Sequence, residues 1–562
     1  MKRFLWLGFV LFLYVICSGC GDTFRPIIIP NPPVFPNPQA SHSVLSVNDN
    51  GIYAAGSGMV IDVSGDTDVS TVDTGIGPVH AAQQTASQVL VVSQAVTGYD
   101  PPVLGGCLIV QPNPEPVLNV CPSITKLTYS GTVISSTSTI TLPASSAASF
   151  VATTESTQAY VLLPNYIPNP GTPTAVVPSI QIVNTTANNL VNTIPVGHNP
   201  IAMAETPDTK KLYVANQGDS TISGFNPATG NLSQRVGSPT TTSSPPIWLA
   251  ARSDSQQVYV LEENGTFEWL DTTSTAGPDT LTPTSPTFSV PGATTMTYDP
   301  NLNRLYIAGA QELEIVDVSQ SQPQLLTTIA IPPFTLLNLP SVAANATSAA
   351  ALPDGTNAYV ASYATLPSQL TISSVSGDGT NATYAYTLTA GVALNPGLTI
   401  TVTDTNLAGF DGTFLVGALI SGTTACPGTC FQVPNPNTLA SMSVSASGTG
   451  SNIFPQVTAV NTTANTPENT IALAGFPDAT IVGSQYYIPA CANNARFRFL
   501  MAAGGDSTRA YLSSCDGGIV DIINTSSNAY FLNLPAPVSS RTVLGNTGQN
   551  PPQNPVFLLA GP

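Results

Sequence analysis

Three observations place this 562-residue chain in the all-β class. A short segment built around a tyrosine recurs along it, and copies in the middle stand 46 to 53 residues apart. No long stretch carries the 3.6-residue apolar period of a capped helix. Several short strands within a period of that length are the mark of a β-propeller. The chain therefore reads as a seven- or eight-bladed β-propeller of four-stranded antiparallel blades, with a small all-β insert.

The amino-terminal residues are an address. Lys2 and Arg3 precede "FLWLGFVLFLYVI" (4–16), an apolar run too short to span a bilayer comfortably and right for a secretory signal. The run ends in "CSGC" (17–20), which resembles the lipobox of bacterial lipoproteins, although Cys17 stands where that family usually has leucine. The resemblance implies that residues 1–19 are a signal peptide and that Cys20 is lipidated, with each buried methylene contributing about 0.8 kcal/mol to anchoring. It also implies a place in the cell envelope, and Gly21 in place of an aspartate after Cys20 favours the outer membrane or cell surface. Residues 20–40 are so dense in proline that an extended, semi-rigid tether is expected.

The repeat fills the rest, 41–562. Its tyrosines are Tyr53, Tyr160, Tyr213, Tyr259, Tyr306, Tyr359 and Tyr511, with Leu90 in a weaker copy. An apolar strand precedes each, and a third strand follows, ending at Asp62, Asn184, Asn226, Asp271, Asp317, Asn461 or Asp521. Residue 554 onwards, "NPVFLLAGP", is one strand too many for the last unit and is expected to pair with the first blade and remove an open edge. Two units are interrupted: residues 97–123 read as a hairpin, and 370–453, in the seventh repeat, as an inserted β module. The unit "TIPVGHNPIAMAETPDTKKLYVANQGDSTISGFN" resembles the YVTN β-propeller repeat of bacterial and archaeal surface proteins, with "YVAN" at 213–216 as its motif. That resemblance implies extracytoplasmic display and no catalytic function.

Composition narrows the partners. Lys and Arg number 13 against 31 Asp and Glu, a net charge of −18 with no basic stripe, which argues against nucleic acid. After Cys17 and Cys20, six cysteines remain in three local pairs: Cys107 with Cys121, Cys426 with Cys430, and Cys491 with Cys515. Outside the cytoplasm an even set reads as disulfides rather than metal ligands.

Candidate chemistry is sparse. Asp208, Asp254, Asp354 and Asp506 fall in equivalent turns, where aspartate bonds the local backbone, and Asp62, Asp66, Asp68 and Asp73 lack calcium-loop spacing. Glu262, Glu263 and Glu268 read as a solvated hairpin turn rather than an acid/base pair. His42, His80 and His198 lie near the starts of innermost strands but are not equivalent within the repeat. No nucleophile elbow, phosphate loop or zinc motif occurs, so no cofactor, metal or catalytic residue is assigned. The expected function is a membrane-anchored, non-enzymatic binding or envelope scaffold protein with a protein or glycan ligand. The alternative is a propeller hydrolase or lactonase-like enzyme at the central channel mouth, drawing on Arg252, Arg304, Glu155 or Glu205.

Overall fold

The computed structural model describes residues 43–51, 54–94, 108–110, 118–143, 147–154, 157–168, 176–335, 341–394, 399–423, 426–473, 491, 498–539 and 552–560. The signal, the tether, Cys20, His42, Tyr53, Cys107 and Glu155 lie outside them.

One unit explains the others. Blade 4 consists of Pro200–Glu205, Leu212–Asn216, Thr221–Ala228 and Asn231–Gln234, hydrogen-bonded in that order outward from the channel. Its second strand is buried on both faces because a neighbouring blade covers each side, so "LYVAN" is nearly continuous in apolar residues rather than alternating. Tyr213 lies opposite Gly224, where an added Cβ would sit 3.3 Å from the tyrosine ring. Tyr160, Tyr259, Tyr306, Tyr359 and Tyr511 hold the same place in their blades and are fully buried, as is Leu90. They are core residues.

Eight first strands ring the channel: Asn554–Ala560, Pro78–Thr85, Phe150–Ala152, Pro200–Glu205, Pro246–Ala251, Thr295–Asp299, Asn345–Ala351 and Phe499–Ala503, numbered here as blades 1 to 8. Each touches the next, and the eighth returns to the first. Seven blades are cut from consecutive chain. Blade 1 is composite, its innermost strand Asn554–Ala560 lying antiparallel to Ser43–Asp49 with Leu45 opposite Leu559. The leftover carboxy-terminal strand thus closes the ring. Outer edges are blunted too: a bulge on the fourth strand leaves Val69, Ser135, Val191, Leu326, Glu468 and Phe531 unopposed in blades 1, 2, 3, 6, 7 and 8.

The residue two before each tyrosine bolts its blade to the next. Gln158 Oε1 accepts from Gly230 N at 2.8 Å, Lys211 Nζ donates to Ser274 O at 2.7 Å, and Gln257 Nε2 donates to Ser321 O at 2.6 Å. Arg304 donates to Asn465 Oδ1 at 3.1 Å, Asn357 to Asn528 Oδ1 at 3.3 Å, and Arg509 holds Asp66 through Nε and Nη2 at 2.9–3.1 Å. Every acceptor or donor on the far side is in the turn between the third and fourth strands of the following blade. Such bonds contribute about 0.5–1.5 kcal/mol each, more where charged.

The repeated aspartates are turn residues. Asp254, Asp354 and Asp506 accept from the backbone N–H two residues on at 2.9–3.0 Å, and Asp208 does so from Lys210 at 3.2 Å. Asp62, Asn184, Asp271, Asp317 and Asn461 do the same after their third strands. Three assignments need correction. Asn226 lies inside its strand and takes the Arg235 guanidinium, and Asp66, although in a turn, spends its carboxylate on Arg509 of blade 8 rather than on local backbone. Asp521 sits in mid-strand, fully buried, and Asn524 fills the turn position instead.

Blade 7 departs from the pattern through length. Its second and third strands, Asn357–Asp378 and Thr438–Asn461, continue past the propeller and pair almost throughout. Around them Asn381–Gly391, Thr399–Thr403, Gly412–Leu415, Ala418–Thr423 and Cys426–Pro434 complete a curled sheet. Its own core contains Leu370, Ile372, Tyr384, Val402, Phe431 and Val433, with Tyr384 stacked on Phe431 at 4.9 Å. A second cluster seats its base on the link from blade 6: Phe454 stacks on Phe334 at 5.3 Å, and Gln456 Nε2 donates to Pro332 O at 2.7 Å.

Candidate functional site

Antiparallel blades give a propeller two unlike faces. The turns between first and second strands and between third and fourth strands are short and form one face. The links between blades and the connections from second to third strand form the other. On this loop face stand the blade 7 module and the paired strands Leu108–Val110 and Leu118–Val120 of blade 2. Ser43, where the amino-terminal segment joins blade 1, lies at the turn-face end of its strand, beside Asp62.

Disulfides secure the loop face. Cys491 and Cys515 join the segment ahead of blade 8 to that blade's own connection, and Asp516 beside them takes Cys491 N at 2.9 Å and Arg498 Nη2 at 2.7 Å. Cys426 and Cys430 are bonded within the module, both sulfurs buried. Cys121 is disulfide-bonded, and Cys107 falls outside the described residues.

Aromatic rings from the first strands of four blades meet around the channel. The His80 ring stacks on Phe150 at 3.9 Å and leans on Phe557 at 4.6 Å, while Trp248 meets Phe150 edge-on at 6.4 Å. Trp248 belongs to blade 5 yet packs against the same buried cluster as Leu500 and Val556 from across the ring. Of the charged residues considered for a channel site, the three described ones, Glu205, Arg252 and Arg304, bridge blades instead. Glu205 accepts from Thr154 N of blade 3 at 2.7 Å, Arg252 donates to Val318 O and Gln320 O of blade 6, and Arg304 is a bolt. His198 is exposed on a link, with Nδ1 2.8 Å from Asp219 Oδ1; the backbone N–H of His198 helps hold Asp219 below its ordinary range. Among the described residues no three His, Cys, Asp or Glu side chains are grouped to hold a metal ion.

What the sequence reading missed is buried charge between blades. At the seam of blades 4 and 5, Asp279 receives Lys211 Nζ at 2.9 Å, Arg235 Nη2 at 2.9 Å and Tyr213 OH at 2.8 Å, all four largely out of solvent. Higher on that seam Glu262 is fully buried and accepts from Ser243 N at 3.2 Å and Oγ at 2.5 Å. Burial and a hydrogen bond with Glu262 push Glu268 up to about 7. The pair is therefore not the solvated turn expected of it.

Burial alone pushes Asp521 up to about 7, and its Oδ2 has no hydrogen-bond partner among the described residues. Because the folded pKa is raised, the fold binds a proton that the unfolded chain has released. Stability from this group is full below about pH 4 and falls as pH rises to about 7. Replacing Asp521 with asparagine is expected to flatten that slope and raise stability at pH 8 by on the order of 3 kcal/mol, read from denaturant midpoints across pH. An unchanged slope would rule out ionisation of Asp521 as its source.

No protein-family model and no curated protein matches the chain. Its fold is similar to that of a functionally unknown protein from Desulfotomaculum acetoxidans (13% identity, TM-score 0.42, 63% of this chain and 96% of that one). A candidate 6-phosphogluconolactonase from Bacteroides uniformis is similar over 58% of this chain and 92% of its own, at 12% identity and TM-score 0.39. Dihydro-heme d1 dehydrogenase NirN in complex with DHE is similar over 90% and 75%, at 9% identity and TM-score 0.43. Likenesses of this order speak for neither activity nor ligand.

Proposed function

We propose that this chain is a non-enzymatic binding protein of the YVTN propeller type, held in the bacterial cell envelope by a lipid on Cys20. It takes an extracellular protein or glycan on its loop face. The observation that carries this reading is the asymmetry of the ring. The long connections are gathered on one face, and Ser43, continuing from the proline-rich stretch, enters at the other. A tether from that side leaves the loop face directed away from the membrane. Three features favour binding over catalysis. Aromatic rings gather at the channel, Glu205 and Arg252 are spent on bridging blades, and the module brings its own core and a seat on blades 6 and 7. Modules mounted this way on loops are common recognition elements.

The test is to excise residues 370–448, closing Gln369 to Thr449 with an Asn-Gly turn across their paired register. Binding of the full and shortened proteins to envelope glycans and proteins in array form is then compared. At least tenfold weaker binding is expected without the module, with the propeller's melting transition retained. Equal binding by both would remove the module from the site, and lactone turnover by the full chain would favour the hydrolase. Cys20→Ser is expected to move the chain out of the membrane fraction.

A further inference from the structure

We infer that Glu262 and Glu268 form a proton-operated latch at the loop-face end of the seam between blades 4 and 5, closed while the two carboxyls share a proton and parted when both are charged. The two belong to adjacent strands, Gln257–Glu262 and Phe267–Asp271, on the side that also presents Val260 and Leu270 to blade 4. Val260 lies opposite Glu268, which puts the carboxyls on diagonal neighbours of one sheet face. Glu262 has no solvent exposure, and its carboxyl accepts from both donors of Ser243, a residue of the 235–245 link on the loop face. Glu268 Oε2 is buried and has no hydrogen-bond donor among the described residues. The economical arrangement has Glu268 keeping the proton and donating it to Glu262.

Among the described residues nothing nearby neutralises a second charge. Along the seam Lys211, Tyr213, Arg235 and Asp279 are committed to one another, and Asp219 on the blade 4 turn is committed to His198. Glu263 adds only a further carboxylate in the exposed turn, and the first strand Pro246–Ala251 and fourth strand Leu281–Pro283 carry no titratable side chain. Among the described residues no ion pair reaches either glutamate. Two carboxylates at one poorly solvated site repel strongly, so loss of the shared proton drives Glu268 outward. Burial and the neighbouring Glu262 push Glu268 up to about 7, which puts the change near neutral pH. The last strand of blade 5 is three residues long and pairs Pro283 with Glu268, so it is the element least able to resist. Acid therefore tightens this corner of the loop face and mild alkali loosens it.

Amide hydrogen exchange on the full chain at pH 5.5 and 8.5, corrected for intrinsic rates, tests the latch. Protection of 240–245 and 266–270 is expected to fall at least tenfold at the higher pH, while 180–183 in blade 3, a buried strand without a titratable side chain, provides the comparison. In Glu268→Gln, whose amide can still donate to Glu262, protection is expected to stay equal at both values. No loss in the native chain, or the same loss in Glu268→Gln, overturns the inference. Infrared spectra of the native chain give a check independent of any variant: a protonated-carboxyl band should titrate near neutrality and weaken in Glu268→Gln. If that band is unaffected by the substitution, the proton is not on Glu268 and the latch is wrong.

Discussion

A chain ending at Gln553 is expected to lose the closed ring, with blades 8 and 1 no longer unfolding together with the rest. Removing Asn554–Ala560 takes the first strand from blade 1 and, with it, buried Phe557 and Leu558 and half-buried Val556 and Leu559. At about 1.5–3 kcal/mol per fully buried large apolar side chain, the loss is on the order of 5–8 kcal/mol, comparable with the whole stability of many domains. It also uncovers the edge of Ser43–Asp49, whose backbone groups pair with the missing strand in the intact ring. The Arg509–Asp66 bolt still links blades 8 and 1 at the turn face, but it cannot cover apolar surface at the channel. The aromatic plug shares the damage, since Phe557 lies against His80 and Trp248 packs into the same cluster. Chemical denaturation and light scattering provide the measurement. A lower midpoint, a broadened transition and self-association are expected, and a midpoint matching the intact chain would mean that closure contributes little.

The repeat was legible because each blade must solve one packing problem with similar residues. A strand covered on both sides needs apolar residues throughout, so "LYV", "VYV" and "AYV" recur, and the turn aspartates recur because their partner is local backbone. Even the closing strand could be read, since it was left without a unit. Side chains whose partners belong to another blade were a different matter. The bolts stand two residues before Tyr160, Tyr213, Tyr259, Tyr306, Tyr359 and Tyr511 but vary among Gln, Lys, Arg and Asn, so their shared role becomes visible only beside the next blade's turn. Glu262 and Glu268 looked solvated because a hairpin tip usually is, and the sequence has no way to show that Ser243 folds over the tip. Asp521 was mistaken for a turn residue by three positions, because "VDIIN" offers two candidates and only the strand's length selects Asn524. What could be read was local and repeated; what was missed depends on contacts between blades.

Asp279 is the sharpest case of the second kind, and Asp279→Ala is expected to be the most damaging single substitution argued here. The residue arrives on the 272–280 connection of blade 5 and reaches back into the seam, where it meets Lys211, Arg235 and Tyr213 of blade 4. One carboxylate there answers two cations, and their side chains are 8% and 3% exposed. Without it Lys211 keeps the carbonyls of Thr272 and Ser274, and Arg235 keeps Asn226 and Ser274, so hydrogen bonds remain but no counter-charge does. A buried ion left without its partner costs about 3–5 kcal/mol, and here two are left. The Tyr213 hydroxyl, pushed far above its ordinary range by burial and by Asp279, loses its acceptor as well. If uncompensated charge is the cause, rather than lost packing, then removing a cation must help. Asp279→Ala with Arg235→Met is expected to be more stable than Asp279→Ala alone, a non-additive result that denaturant unfolding of the two single variants and the double variant would reveal. A double variant less stable than Asp279→Ala would assign the seam's strength to packing around Arg235 and not to its charge.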